Sequence, residues 1–139
     1  MAWIAPVTDW DGVTVGKKYY NYSDINRVEN NTDYIADYVE TNLGNRPAIV
    51  GTKTDWANTD IVYAANMERI ESNVTLIKTR LGTPTGWGTS VTWVTLLKFD
   101  YDDANRLETN LSLLKTMAEN QVASLLWCGN FICGEGTEL

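Results

Sequence analysis

Residues 69–73 read RIESN, and the same pattern of Arg, an aliphatic residue, Glu, any residue and Asn recurs as RVENN at 27–31 and RLETN at 106–110. The three copies also continue alike. The residues 1, 5, 8 and 12 positions after each Arg are apolar, with Thr32 as the exception. That spacing places them along one face of an α-helix. The sequence therefore predicts three amphipathic helices of about five turns each.

The polar members of the motif are candidate structural residues, because they recur at one position in each copy. Arg and Glu lie two residues apart and cannot meet on one helix, so we expect them to contact neighbouring helices or water. In parallel helices the three Asn side chains would meet in one layer. The alternative is that each Asn bonds to a loop backbone. The nine residues are Arg27, Glu29, Asn31, Arg69, Glu71, Asn73, Arg106, Glu108 and Asn110.

A tryptophan precedes each predicted helix. Trp56 and Trp93 lie 13 residues before the motif Arg, and Trp10 lies 17 residues before it. Between each Trp and its helix the sequence is β-prone, as GVTV, DIVY and TWVTLLKF, which predicts a short strand. The chain thus repeats a unit of Trp, strand and helix three times, as expected after duplication of one supersecondary unit.

The connections between the helices are long. Antiparallel neighbours need only about 2–8 linking residues, whereas about ten extended residues can run back along a helix of about 27 Å. All three helices can therefore point the same way. We favour a mainly α fold with short strands, in which three strand-helix repeats form a three-helix bundle with pseudo-threefold symmetry. The alternative is an irregular α+β domain in which the helices cross freely.

The whole chain, 1–139, is expected to form a single domain. Its expected parts are three internal repeats at about 6–44, 47–82 and 87–121 and a C-terminal β-hairpin at 122–139. The hairpin is predicted because Gly129-Asn130 is a two-residue turn signal between apolar arms. Its register offsets Cys128 from Cys133, which predicts two free thiols.

The composition argues against several classes of function. The formal net charge is −7 and the basic residues do not cluster, so we expect no nucleic-acid binding. The chain has no His, which removes Ser-His, Cys-His and His-metal sites. Asp100, Asp102 and Asp103 cluster at a helix start, where capping explains them. We therefore expect no catalytic residues, no cofactor and no metal.

No apolar run approaches the roughly 20 residues of a membrane helix, and no signal peptide opens the chain. We therefore expect no membrane contact. We also expect synthesis in the cytoplasm.

The stretch DIVYAANMERIESNV at 60–74 resembles a segment common in tail-fibre, baseplate and related minor structural proteins of phages and prophages that infect Gram-positive bacteria. The matching residues are Asp60, Val62, Ala64, Met67, Ile70, Glu71, Asn73 and Val74. Glu68 stands where that segment usually has Asn. The opening of the chain is similar to the start of such proteins, with Asn26, Arg27, Glu29 and Asn31 matching. The ending CGNFICGEG is similar to their Cys-Gly-rich ends.

The resemblance implies a virion protein, located in a phage tail and assembled in the cytoplasm of the bacterial host. Its partners would be other virion or tail proteins. No catalytic residues come with the resemblance. The first hypothesis is therefore a non-enzymatic structural or adaptor subunit of a phage tail, baseplate or fibre, or of a related contractile particle.

The alternative is a Trp-rich carbohydrate-binding module that contacts a host-surface glycan. The chain has six Trp and seven Tyr, and the Asp9-Trp10 and Asp55-Trp56 pairs are suited to stacking and hydrogen bonding with a sugar. Because the Trp residues recur at one place in each repeat, we expect them to pack against the helices instead. Trp87 lies outside that pattern between two glycines and is the candidate exposed contact.

Overall fold

The computed structural model describes residues 1–130, which contain three α-helices: α1 Tyr22–Leu43, α2 Ala64–Leu81 and α3 Tyr101–Asn130. They form a small three-helix bundle in which each helix contacts the other two. Ion pairs link the N-terminal halves of all three helices. At the other end of the bundle, Arg80 of α2 donates to the Leu43 carbonyl oxygen of α1 at 3.3 Å. The helices therefore run in the same direction, as the long connections predict.

The predicted apolar stripes form the centre of the bundle. Equivalent positions of the three helices are buried together, as Val28, Ile70 and Leu107 are in the first layer. Each such side chain contributes about 1.5–3 kcal/mol on full burial. Thr32 is the polar member of the stripe, and its hydroxyl donates to the Val28 carbonyl oxygen at 2.8 Å. No described helix is long and apolar enough to span a membrane.

Polar side chains cap the starts of α1 and α3. Asn21 caps α1 and shares a capping box with Asp24, whose carboxylate accepts from the Asn21 N–H at 2.9 Å. Asp100 caps α3 by accepting from the N–H groups of Asp102 and Asp103 at 2.9 and 3.2 Å. These side chains satisfy the free N–H groups of the first helical turn.

Glycines mark the C-terminal ends of α1 and α2. Gly44 and Gly82 follow α1 and α2 with φ of 69° and 104°, a region that favours glycine. The position in α3 that corresponds to Gly82 is Glu119, and the helix continues past it. The predicted β-hairpin is therefore wrong at 122–130, which belong to α3.

Residues 131–139 of that hairpin lie outside the described residues. The predicted thiol state of Cys128 and Cys133 lies outside the described side chains as well. The short strands expected at 12–15, 60–63 and 92–99 are also wrong, because no strand occurs in residues 1–130.

These β-prone stretches lie in loops whose backbone groups bond to side chains. The Asp11 carboxylate, for example, accepts from the N–H groups of Val13 and Thr14 at 2.9 and 2.7 Å. Similarly, the Trp93 N–H donates to the Glu68 carboxylate at 2.7 Å. Because side chains satisfy these peptide groups, the loops do not need a β-ladder.

Candidate functional site

The motif Arg and Glu residues form a closed ring of three ion pairs between helices. The Arg of α2 reaches the Glu of α1, the Arg of α3 reaches the Glu of α2, and the Arg of α1 reaches the Glu of α3. The pairs are Arg69–Glu29, Arg106–Glu71 and Arg27–Glu108. All three Glu side chains are buried. Pairing across helices is one of the two arrangements that the motif spacing allows.

Glu108 is the most heavily bonded carboxylate of this buried ring. It accepts from Nε and Nη2 of Arg27, from the Tyr20 hydroxyl at 3.2 Å and from the Val7 N–H at 3.0 Å. Burial raises the pKa of the Tyr20 phenol well above its ordinary value, and the Glu108 charge adds to the rise. Burial acts to lower the pKa of Arg27, but hydrogen bonding and charge from Glu108 outweigh it and raise that pKa. Both groups are therefore held in their protonated forms.

The repeat tryptophans are part of the core. Trp10, Trp56 and Trp93 are only 5–6% exposed. The indole N–H of Trp56 donates to Glu29 at 3.3 Å, and that of Trp93 donates to Glu71 at 3.4 Å. The Trp10 indole N–H has no partner among the described residues. At two of the three positions the Trp is thus hydrogen-bonded to the Glu of an ion pair between helices.

The residue before each motif Arg holds the backbone of one of these tryptophans. The pairs are Asn26 with Trp56, Glu68 with Trp93 and Asn105 with Trp10. Asn26 accepts from the Trp56 N–H at 2.8 Å and donates to its carbonyl oxygen at 3.0 Å. Sequence reasoning did not assign this role, although the Asn shared by two copies directly before the Arg was a usable signal.

The motif Asn residues hold loops and do not bond to one another in the described residues. Each amide accepts from the N–H and donates to the C=O of a single loop residue, at 2.7–2.9 Å. The pairs are Asn31 with Ile4, Asn73 with Val50 and Asn110 with Gly88. Of the two arrangements expected for these residues, the structure therefore shows the one in which each Asn bonds to a loop backbone. A side-chain amide has both a donor and an acceptor, so it satisfies the N–H and the C=O of a loop residue that lacks a strand neighbour.

The N-terminal ends of the helices and the loops before them form an exposed apolar surface, called here the apolar end. Its six large side chains line one open cavity of about 800 Å³ and are 46–95% exposed. They come from all three repeats and are Tyr19, Tyr63, Val94, Leu96, Leu97 and Tyr101. Exposed Val13, Val15 and Ile61 lie in the same loops. A contiguous patch of this kind on one protein usually marks a contact site.

Leu96 is the clearest member of the apolar end. It is 95% exposed and has φ of 75°, the left-handed backbone region that disfavours a Leu side chain. Neither the exposure nor the backbone conformation stabilises the folded chain. Strain of this sort in native proteins is concentrated at functional positions.

Two different repeats contribute charged groups to the cavity. Lys18 lines it from the loop of the first repeat, with its ammonium 5.2 Å from the centroid of the Tyr19 ring. Asp100 lines it from the start of α3, and exposed Asp102 follows in the first turn. The apolar end therefore carries a cation on one side and carboxylates on another.

Trp87, the residue expected to be exposed, is half-buried and packs against the core. The Lys78 ammonium lies 5.3 Å from the centroid of its ring. The Asp-Trp pairs are not open platforms, because Trp10 and Trp56 are buried. The Lys53 ammonium also lies 4.8 Å from the Trp56 ring centroid.

Within the part of the chain that the structure describes, no three His, Cys, Asp or Glu side chains are grouped as metal ligands would be. No protein-family model, curated protein or solved structure matches the chain. Its function therefore has to be inferred from its own residues and from the resemblance at 60–74.

Proposed function

We propose that the chain is a non-enzymatic structural or adaptor subunit of a phage tail, baseplate or fibre, or of a related contractile particle. The single observation that carries a contact role is the apolar end, where six large side chains from three repeats surround one cavity. Side chains of this size remain exposed chiefly where a partner covers them. The particle setting is supported by the resemblance of residues 60–74 to minor structural proteins of such particles.

The contacts of the motif residues also support a structural role. Glu29, Glu71 and Glu108 are each held by an Arg of a neighbouring helix. Each of these carboxylates therefore joins two helices of the bundle. The Asn residues of the motif are bonded to loop backbone. The polar side chains of the repeat thus position helices and loops.

The repeat suggests how such a subunit would be used. Equivalent residues make equivalent contacts in cyclic order, so one chain reproduces a pseudo-threefold arrangement. Its outer faces differ, since Tyr38, Arg80 and Met117 occupy one equivalent position. A single chain with three unequal faces is suited to a position between symmetric partners, where each face meets a different neighbour. Those partners would be other virion or tail proteins.

The carbohydrate-binding alternative has less support. Stacking on a sugar needs an exposed ring face, and the repeat tryptophans are buried. Trp3 and Trp87 are half-buried, and each has a Lys ammonium within 5.5 Å of its ring centroid. Trp87 is the residue to replace if glycan binding is detected.

The particle setting is tested by asking whether the chain is a component of particles released by the source strain. We expect mass spectrometry of purified particles to find it at a fixed ratio to major tail proteins. Gold-labelled antibody should mark one part of the tail. Particles that assemble completely and infect normally without this chain would contradict the proposal.

The contact role is tested by two matched variants. Leu96→Asp alters the apolar end, whereas Leu125→Asp places the same charge at an exposed Leu of α3 near the opposite end. We expect the first variant to be lost from particles and the second to be retained. Equal retention of both would remove the apolar end as the contact surface.

A further inference from the structure

We infer that the apolar end binds a second copy of this chain, which gives an end-to-end dimer about a twofold axis. The inference rests on the contact role proposed above and is independent of the particle setting. With exposed fractions of 46–95%, the six side chains of the apolar end expose roughly 800 Å² in total, given about 150–250 Å² for a large aromatic residue. That is about what each partner contributes to an interface of standard size.

The charges of the apolar end are arranged for self-complementarity. The first-repeat loop carries Lys18 at the cavity, and the third repeat carries Asp100 at the cavity with Asp102 beside it. The second-repeat loop contributes Ile61 and Tyr63, which are exposed and uncharged. Among the residues that line the cavity, the first repeat thus contributes the cation Lys18, the third contributes the carboxylate Asp100 and the second contributes no charge, whereas exposed Asp60 and Lys98 lie outside that lining. These parts of the end are called here the basic, the acidic and the apolar sector.

The cyclic order of the repeats limits how two such ends can face each other. A twofold axis that crosses the end of the bundle can bring any one sector onto itself while it exchanges the other two. If the first or the third sector is self-paired, Lys18 faces Lys18 or Asp102 faces Asp102. If the second is self-paired, Lys18 faces Asp102 of the other copy twice, and Ile61 and Tyr63 face their own counterparts.

Only this last orientation pairs opposite charges at both edges and apolar residues between them. The chain has a net charge of −7, so two copies repel each other at long range. The apolar contact therefore has to supply most of the affinity, while the Lys18 and Asp102 pairs fix the orientation. The closed twofold contact also covers the exposed side chain of Leu96 in both copies.

The dimer is tested on the full chain by sedimentation velocity over a series of concentrations. We expect a monomer–dimer equilibrium that Leu96→Asp abolishes and Leu125→Asp leaves intact. Unchanged helical circular dichroism and thermal unfolding of dilute protein would show that each variant is folded. A chain that is monomeric at every concentration would overturn the inference, as would dimerisation of the Leu96→Asp variant.

A charge exchange tests the orientation. Lys18→Asp and Asp102→Lys should each weaken dimerisation by about tenfold, because the symmetry makes one substitution remove two ion pairs and create like-charge contacts. The double variant, Lys18→Asp with Asp102→Lys, should restore most of the affinity. Failure of the double variant to recover any affinity would overturn the proposed orientation.

The two sets of experiments fail separately. If the chain is monomeric but Leu96→Asp is still lost from particles, another protein covers the apolar end and the second-copy inference is wrong. If the dimer forms but no particle contains the chain, the dimer stands and the particle setting is wrong.

Discussion

The Arg27–Glu108 and Arg106–Glu71 pairs occupy equivalent places in the buried ring but are built differently. Glu108 uses both carboxylate oxygens and accepts four hydrogen bonds, including one from the Tyr20 hydroxyl. Glu71 accepts through Oε1 alone. Its Oε2 and the Nη1 of Arg106 are buried without a partner among the described residues.

Arg27 binds through two nitrogens and Val7 adds a backbone N–H, and the remaining part of the difference follows from one residue that varies among the repeats. Seven positions before the motif Arg, the first repeat has Tyr20, the second has Val62 and the third has Phe99. Only Tyr20 has a hydroxyl that can reach the carboxylate. A buried ion pair offsets its desolvation only when further hydrogen bonds satisfy both partners. The same motif therefore stabilises the fold by different amounts at its three sites.

The largest effect is expected from neutralising the well-bonded carboxylate. Glu108→Gln removes the carboxylate that accepts two hydrogen bonds from Arg27 and leaves Asp24, at 2.9 Å, as its remaining counter-ion. It should lower the free energy of unfolding by about 3 kcal/mol. Glu71→Gln should lower it by about 2 kcal/mol or less, because Glu71 has fewer bonds to lose. Urea denaturation of both variants checks this. Equal losses would show that the extra bonds of Glu108 do not stabilise the fold.

The tryptophans give a second contrast. Trp56→Phe removes an indole N–H that donates to Glu29, whereas Trp10→Phe removes one without a partner. Both substitutions leave a similar gap. We expect Trp56→Phe to be more destabilising than Trp10→Phe by about 1–3 kcal/mol, since the lost bond reaches a charged acceptor. If Trp10→Phe is the more damaging variant in urea denaturation, the Trp56–Glu29 bond is of little consequence.

The poorly bonded site should be improvable. Phe99→Tyr places a hydroxyl in the third repeat where Tyr20 has one in the first, and Glu71 Oε2 is available to accept from it. We expect a gain of about 1 kcal/mol in the free energy of unfolding, the usual value of one hydrogen bond. The matched variant Tyr20→Phe should lose a similar amount. A destabilised Phe99→Tyr protein would show that the two sites differ in shape as well.

The smallest expected effect is on the pH dependence of stability, and it arises only in alkaline solution. Because the pKa of Tyr20 is raised in the folded chain, its contribution to stability is complete below the unfolded value of about 10. That contribution declines as the pH rises through the folded pKa. Wild-type protein should therefore lose stability above about pH 10 more steeply than Tyr20→Phe does. Parallel thermal melts of the two proteins in alkaline buffers test this, and identical slopes would contradict it.

Much of the bundle follows from local patterns. The spacing of Val28, Thr32 and Ile35 and its repetition around Arg69 and Arg106 predict the helices and their buried faces, and the structure confirms a three-helix bundle. The burial of the repeat tryptophans also agrees with their fixed distance from the helices. Such features depend only on helical geometry, which acts within a few residues.

The predictions that were wrong concern features that depend on residues distant in the sequence. The β-prone stretches at 12–15 and 92–99 contain strand-forming residues, but a strand needs a neighbouring strand. The first stretch bonds instead to the loop residue Asp11, and Trp93 in the second bonds to Glu68 of α2. The tail has a hairpin signal, and nothing in its own residues shows that α3 runs past Glu119. The apolar end could not be predicted for a similar reason. Leu96 lies in a stretch that was expected to be a strand, where a neighbouring strand would cover part of it, and the structure has no strand there.

The closure of the ring between the first and last repeats has a consequence for the kinetics of folding. The bonds from Trp10 to Asn105 and from Val7 to Glu108 span 95 and 101 residues. During synthesis Val7 and Trp10 lack these partners until α3 has been made. A bundle with such separated contacts has a high contact order for a helical protein and is expected to fold more slowly than one whose helices are joined by short hairpin turns. Trp10, the first of the repeat tryptophans, is thus among the last to be fixed in place.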